Sequence, residues 1–332
     1  MQNRLIVIAV FVALLFLDST AFAMDGERDE LSYKEMGLAS LYNGEMDSAL
    51  HYLERANSIY EDDAQILGGL ALVHVYSGDF DRALDYAQEG RSAGGSADAY
   101  VAGVLAHEEL GNVRRRDRWI DRGLDNFPND NLLLYHAGRI KIPFDNKIGE
   151  ELLLRSINSA SAFGEAHLLL GERMYRKGEN VKAVMPLLYY LMLHHDDDQS
   201  SDVVRYIEHV FNNWASSSQS ISNYSTASSG VRVDFVPEAW DGDDSDREGL
   251  NRWFVEQTVS FMESVKSAEI TSGESLWLFY SDFFSEVFRL DFANVLALHV
   301  SYSRYPDESV GRLANQDKSR KYDMFSNWLL ME

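Results

Sequence analysis

The chain has no cysteine among its 332 residues. That excludes disulfide staples, cysteine-ligated zinc, a cysteine nucleophile and a lipidated cysteine behind a leader. Packing alone must hold the fold. Basic residues are also scarce: 30 Lys and Arg stand against 53 Asp and Glu, a net charge of −23. A nucleic-acid role is disfavoured, because a phosphate backbone demands a basic surface. The one dense basic run, Arg114-Arg115-Arg116 with Arg118 and Arg122, falls in a predicted helix and reads as a solvated face. Chemical motifs are missing too. There is no phosphate-cradling glycine loop and no G-x-S-x-G elbow. In "HEELG" at His107, Gly111 stands where a zinc metalloprotease needs its second His. "DGDDSDREGLNR" from Asp241 begins like a calcium loop, but Asp246 replaces the sixth-position Gly and Arg252 the twelfth-position Glu. A helix N-cap explains it better. "HHDDD", residues 194–198, ends a predicted helix and reads as surface solvation rather than a metal site. His74, His107, His136 and His167 all fall on predicted helices, where structural roles are expected. No catalytic residue, metal or cofactor is implied.

Long apolar runs are absent after the N-terminus. Residues 5–17 are thirteen unbroken apolar residues, preceded by "MQNR" and followed by "DSTAFA". Thirteen residues fall short of the roughly twenty needed to span a bilayer. Ala21 and Ala23 supply the small-x-small pattern that a signal peptidase reads. Residues 1–23 are therefore expected to be a cleaved signal peptide. The product would be periplasmic or secreted, with no membrane span after cleavage.

What the chain does have is 45% hydrophobic residues, ordinary for a globular protein. It also repeats itself. "LYNGEMDSALHYL" at residues 41–53 returns as "VYSGDFDRALDYA" at residues 75–87, aligning Gly44 with Gly78 and Ala49 with Ala83. "AYVAGVLAHEELGNV" continues the frame with Val104, Gly111 and Val113, departing at Arg116 where a small residue is wanted. A fourth copy, "LLLYHAGR", is degenerate, because Pro143 interrupts it and "GEELLLRSI" matches poorly. A fifth, "HLLLGERMYRKGENVKAVMPLL", restores the register with Gly171, Gly178 and Ala183. Gly37, Ala71, Val104, Gly138 and Gly171 are spaced 34, 33, 34 and 33 residues apart. The small residues let paired helices approach closely, and the turn glycine ends the first helix of each pair.

This pattern resembles the tetratricopeptide repeat over residues 31–198. The resemblance implies an all-α superhelix of helical hairpins with a concave inner face. Residues 199–214 then read as a covering helix, with Val203, Ile207, Val210, Phe211 and Trp214 on one face. A Ser-rich connector, residues 215–229, separates an aromatic-rich helical C-terminal domain, residues 230–332. In that domain "VRVDFV" at residues 231–236 alternates like a strand, but without a second such run a lone extended segment is expected. Leu250, Phe254, Phe261 and Val265 keep helical spacing, with Thr258 the one polar step.

The resemblance also implies which helix A positions face inward. They include Lys34, Leu38, Leu41, Leu72, Val75, Val101, Leu105 and Glu108. Among them Tyr42, Tyr76, Tyr135, Arg139, Tyr175 and Arg176 are the candidate partner-binding residues, since Tyr and Arg dominate binding hot spots. The family's clamp for C-terminal carboxylates is missing, because Leu38 follows Lys34 where Asn is needed. The function expected is a non-enzymatic scaffold holding a protein or peptide in a cell-envelope assembly or secretion process. The alternatives are an accessory subunit handling polysaccharide, and an enzyme with its site in the C-terminal domain. An inner face of Tyr and acids without an apolar strip would favour sugar; exposed Leu and Val would favour protein. N-terminal sequencing of the mature protein should begin at Met24, and an intact Met1 in protein from an extracytoplasmic fraction would contradict cleavage.

Overall fold

The computed structural model describes residues 26–143, 146–197, 199–218, 230–313 and 316–329. The expected signal peptide, most of the Ser-rich connector and Asp198 lie outside the described residues. The described chain is helical almost throughout and forms two compact units that divide between Ser159 and Ala160. No described helix is long and apolar enough to cross a membrane.

The first unit holds four hairpins. Their A helices are α1 (Gly26–Tyr42), α3 (Ala64–Tyr76), α5 (Ala97–Glu109) and α7 (Asn131–Lys141). Their B helices are α2 (Met46–Asn57), α4 (Phe80–Ser92), α6 (Val113–Asn126) and α8 (Asn146–Ser159). Helix starts are set locally. Asp63, Ser96 and Asp130 each cap their A helix by accepting a backbone N–H from inside its first turn, an arrangement worth about 1 kcal/mol per helix. The hairpin turns use Gly44, Gly78 and Gly111, with φ of 79°, 75° and 69°. A side chain at that φ is strained even where space is open.

Packing follows the frame. The frame residue of helix A meets a residue fifteen or sixteen positions later on helix B. At Gly37 an added Cβ would lie 2.7 Å from Leu53 Cγ. Ala71, Ala87, Val104 and Ile120 fill the equivalent sites and are wholly buried. Ala49 and Ala83 are wholly buried as well. Arg116, in the frame position of those alanines, is largely covered, and its guanidinium bonds Asp117 Oδ1 at 2.8 Å and reaches Glu108 of the paired helix at 3.5 Å. The fourth hairpin forms despite its degenerate sequence. Gly138 would clash with Leu153 Cγ at 2.9 Å and Gly149 with Ile142 N at 2.7 Å if either carried a Cβ, so glycines on both helices keep this pair close. Successive A helices pack on one another, whereas B helices pack mainly on the A helices at either side. The A helices are thus the inner layer of this unit.

The second unit begins with the fifth hairpin, α9 (Gly164–Arg176) and α10 (Asn180–Leu193), turning at Gly178 with φ of 75°. It continues through α11 (Ser200–Ser218), α12 (Arg247–Val265), α13 (Leu278–Arg289), α14 (Ala293–Ser301), α15 (Pro306–Leu313) and α16 (Gln316–Leu329). Helix α11 buries Val203, Ile207, Val210, Phe211 and Trp214, the face expected of a covering helix. Helix α10 is buried on every side from Val181 to Met192, as its nearly continuous apolar sequence requires. Its Tyr189 packs against Phe279 and Phe283 with ring centroids 5.0 and 4.8 Å apart, and Lys182 bonds Glu274 at 2.7 Å. The fifth hairpin therefore shares one core with the C-terminal helices.

One expectation needs correction. Val231–Arg232 is not a lone extended segment, because it pairs antiparallel with Glu269–Ile270. The partner is too short to show alternation and lies beyond the whole of α12. The Asp241 stretch does cap a helix, as Asp246 Oδ1 accepts the Gly249 N–H at 2.9 Å.

Replacing Ala83 with Leu should lower stability by about 1–3 kcal/mol through overpacking. Changing Arg82, whose side chain is 70% exposed, should leave the melting temperature nearly unmoved. Equal effects in thermal denaturation would place the helix crossing elsewhere.

Candidate functional site

The inner layer of the first unit keeps its aliphatic residues to itself. Leu41, Leu72, Val75 and Val101 are buried, and Leu38 and Leu105 pack against the same core. What reaches solvent is aromatic and polar. Tyr42 and Tyr76 close their A helices with 61% and 59% of their surface exposed. An apolar strip is therefore not the surface offered.

Tyr42 is exposed but fixed. Its hydroxyl donates to Asp98 Oδ2 at 2.8 Å, which joins the first hairpin to the start of the third. Burial of the phenol oxygen pushes its pKa above the ordinary tyrosine value, and the charges of Asp98, Asp130 and Tyr76 add to this. Asp98 itself is raised by burial, partly offset by the Tyr42 bond, with Asp130 adding repulsion. Asp130 is raised for the same first reason, against the backbone N–H groups of its own cap. Two carboxylates and two phenols thus share one partly desolvated region. Lys34 lies apart from it, bonded to Asp63 at 2.6 Å.

The remaining candidates are placed differently. Arg139 is held by Glu108, its Nη1 donating to Oε1 at 3.3 Å, and Arg116 approaches the same carboxylate at 3.5 Å. Tyr135 is half-buried with its ring edge-on to His136, 5.0 Å between centroids. Tyr175 and Arg176 sit in the other unit. Tyr175 is covered by α11, edge-on to Tyr206 at 4.6 Å, and its hydroxyl accepts from Asn213 at 3.4 Å. Arg176 stays exposed beside Glu172. Tyr42 and Tyr76 are brought together, Tyr76 being among the groups that act on the Tyr42 phenol. Asp98 and Asp130 escaped the sequence reading. Asp130 looks only like a helix cap, and Asp98 carries no signal in the repeat frame.

The helix A histidines are structural. His74 stacks on Tyr86 at 5.4 Å, His107 meets Trp119 edge-on at 6.0 Å, and His167 stacks on Tyr189 at 4.4 Å. His194 and His195 are half-buried rather than simply solvated, with His195 lying against His299 at 4.0 Å. Among the described residues no group of three or more His, Asp or Glu is placed to hold a metal ion.

No family model and no curated protein matches the chain. Solved structures similar to it include the APC/C hetero-tetramer Cut9-Hcn1, at 16% identity and a TM-score of 0.47. That match covers 55% of this chain and 36% of the other, so this chain spans about a third of its length. PilF of Pseudomonas aeruginosa is similar at 14% identity and a TM-score of 0.46, over 58% of this chain and 89% of that one. The C-terminal part of a TPR repeat-containing protein from Cytophaga hutchinsonii is similar at 10% identity and 0.41, over 87% and 98%. The five hairpins are of the tetratricopeptide type, an assignment that stands on their own frame, turn glycines and helix crossings.

His167 shows how deeply these rings are set. Its Nδ1 accepts from the Tyr280 hydroxyl at 2.8 Å and its Nε2 donates to the Ser161 carbonyl at 2.9 Å. Burial lowers its pKa from the ordinary 6.5 to about 3. A depressed histidine stabilises the fold above its unfolded value, and that contribution is lost as pH falls from about 6.5 toward 3. Side-chain NMR should find the ring neutral at pH 5. Replacement with Gln should flatten the fall of melting temperature over this window, and an unchanged slope would remove His167 from the acid response.

Proposed function

We propose that this chain is an exported, non-enzymatic scaffold that binds a protein or peptide partner on the concave inner face of its first unit. The observation that carries this reading is the exposure of Tyr42 and Tyr76 on the inner layer. Rings this exposed bury little apolar surface in the fold, so most of their area stays available to a partner. An exposed ring already fixed by a hydrogen bond loses little freedom on binding, which is the property of a preorganised anchor. Asp98 and Asp130, both partly desolvated, suit a partner segment that presents a cation to the same region. Tyr135 and Arg139 extend the surface along α7. Tyr175 and Arg176 are proposed to serve a partner contact of the second unit. Export rests on the signal-peptide pattern of residues 1–23, and a periplasmic or secreted role in envelope assembly or secretion follows from it.

A polysaccharide-handling role is the second reading. It is favoured by the burial of Leu72, Val75 and Val101, which leaves Tyr and Asp rather than an apolar strip facing solvent. The protein reading stands ahead of it because paired tyrosines with partly desolvated acids also recognise basic peptide side chains.

Pull-down from envelope extract, followed by mass spectrometry, separates the two. Changing both Tyr42 and Tyr76 to Ala should cut capture of a protein partner tenfold or more, a hot-spot loss of about 2 kcal/mol, with helicity retained. Tyr42→Phe, which keeps the ring and loses the Asp98 bond, should have a smaller effect. Undiminished protein capture by the double variant would overturn the site. Binding of an oligosaccharide in titration calorimetry, abolished by the same double change and without any protein captured, would establish the second reading.

A further inference from the structure

The connection between α11 and α12 runs from Ser218 to Arg247, and among its described residues only Val231–Arg232 is regular structure. Connections longer than about 12–15 residues are uncommon in compact domains and usually functional. Residues 231–238 lie extended across the helices of the second unit, in the manner of a bound peptide. Their side chains alternate: Val231, Val233 and Pro237 are buried, whereas Arg232, Asp234, Val236 and Glu238 are exposed. Phe235 enters an aromatic box, with centroids 5.9 Å from Phe211, 5.4 Å from Trp214 and 5.4 Å from Phe261.

Val231–Arg232 pairs with Glu269–Ile270, and beyond that pairing the main chain is held by side chains. Gln257 Oε1 accepts the Glu238 N–H at 2.9 Å, Trp253 Nε1 donates to the Glu238 carbonyl at 2.9 Å, and Asn212 Oδ1 accepts the Trp240 N–H at 2.7 Å. These three come from α11 and α12, and they grip backbone that every peptide carries. A groove that reads main chain through amides and an indole, with one aromatic pocket for specificity, is the construction of a peptide site. The resident fits imperfectly. The Trp240 indole N–H at its end is buried without a hydrogen-bond partner among the described residues, a position that carries a desolvation cost.

We propose that the α11/α12 groove is a second peptide-binding site, and that residues 231–240 are a displaceable internal ligand. Its external partner is an extended protein segment of the same pattern: apolar at alternate positions, Phe at the fifth and Pro at the seventh. The inner face of the first unit is not involved, so the two sites stand or fall separately.

The test uses the full chain with Val233 and Phe235 both changed to Ser, and a fluorescent synthetic peptide of residues 230–241. The variant should keep its helicity and bind the peptide at least tenfold more tightly than the unaltered chain, whose groove is filled. Adding Gln257→Ala or Asn212→Ala should weaken that binding severalfold. A peptide with Phe moved one position should not bind, since its ring would point to solvent. Native-state hydrogen exchange of the unaltered chain provides a second readout, in which the Glu238 and Trp240 amides should exchange well ahead of the α12 amides. A folded variant that takes no peptide overturns the proposal. So does a variant that unfolds, or exchange at Glu238 and Trp240 only on global unfolding, because the segment would then be part of the core.

Discussion

The approach of helix A to helix B within each hairpin is the constraint from which the rest follows. Where Gly37 faces Leu53 and Gly171 faces Leu187, the added Cβ would come within 2.7 and 2.5 Å of the leucine Cγ. No side chain larger than hydrogen fits such a crossing. At the second crossing Ala71 faces Ala87, and at the third Val104 and Ile120 take the same places, all of them wholly buried. Because the crossing falls fifteen or sixteen residues apart in each copy, the A helices fall into one layer. That layering puts the ends of α1 and α3, and so Tyr42 and Tyr76, side by side on the inner surface.

The same economy explains why the inner layer presents so little aliphatic surface. Each hairpin has only one face to bury, and in the first unit Leu72, Val75 and Val101 are consumed between neighbouring helices. In the second unit the demand is greater. Helix α10 is buried all round, with Lys182 admitted only because Glu274 and the Trp277 ring receive its ammonium. Several other buried polar groups in that unit are likewise paired: Tyr305 with Glu208, His299 with Met192 and Tyr322, and the Asn251 amide N–H with Ser301 and Ser309. A core assembled from such specific pairs has little freedom to repack, which suits helices that carry no repeat to dictate their register.

The fold of the repeats was legible because its determinants are local and recur. Gly at the turn and the small residues of the repeat frame are visible within a single copy. The candidate site was legible only in part. Frame position located Tyr42 and Tyr76, but not Asp98, whose role depends on a neighbour 56 residues away. Frame position also placed Leu72, Val75 and Val101 toward the inside without revealing whether packing would cover them. It marked Tyr175 as equivalent to Tyr76 in kind, whereas α11 lies over it. The pairing of Val231–Arg232 with Glu269–Ile270 escaped for another reason: two residues are too few to set a period.

Stacked repeats are usually treated as a chain of units that feel only their immediate neighbours, so that ends fray and local openings spread one hairpin at a time. The Tyr42–Asp98 bond breaks that rule, since it reaches past the second hairpin altogether. Such a bond contributes about 1 kcal/mol net, so opening the first hairpin costs more than its contacts with the second alone. Opening of the first hairpin is thereby coupled to the third as well as to the second.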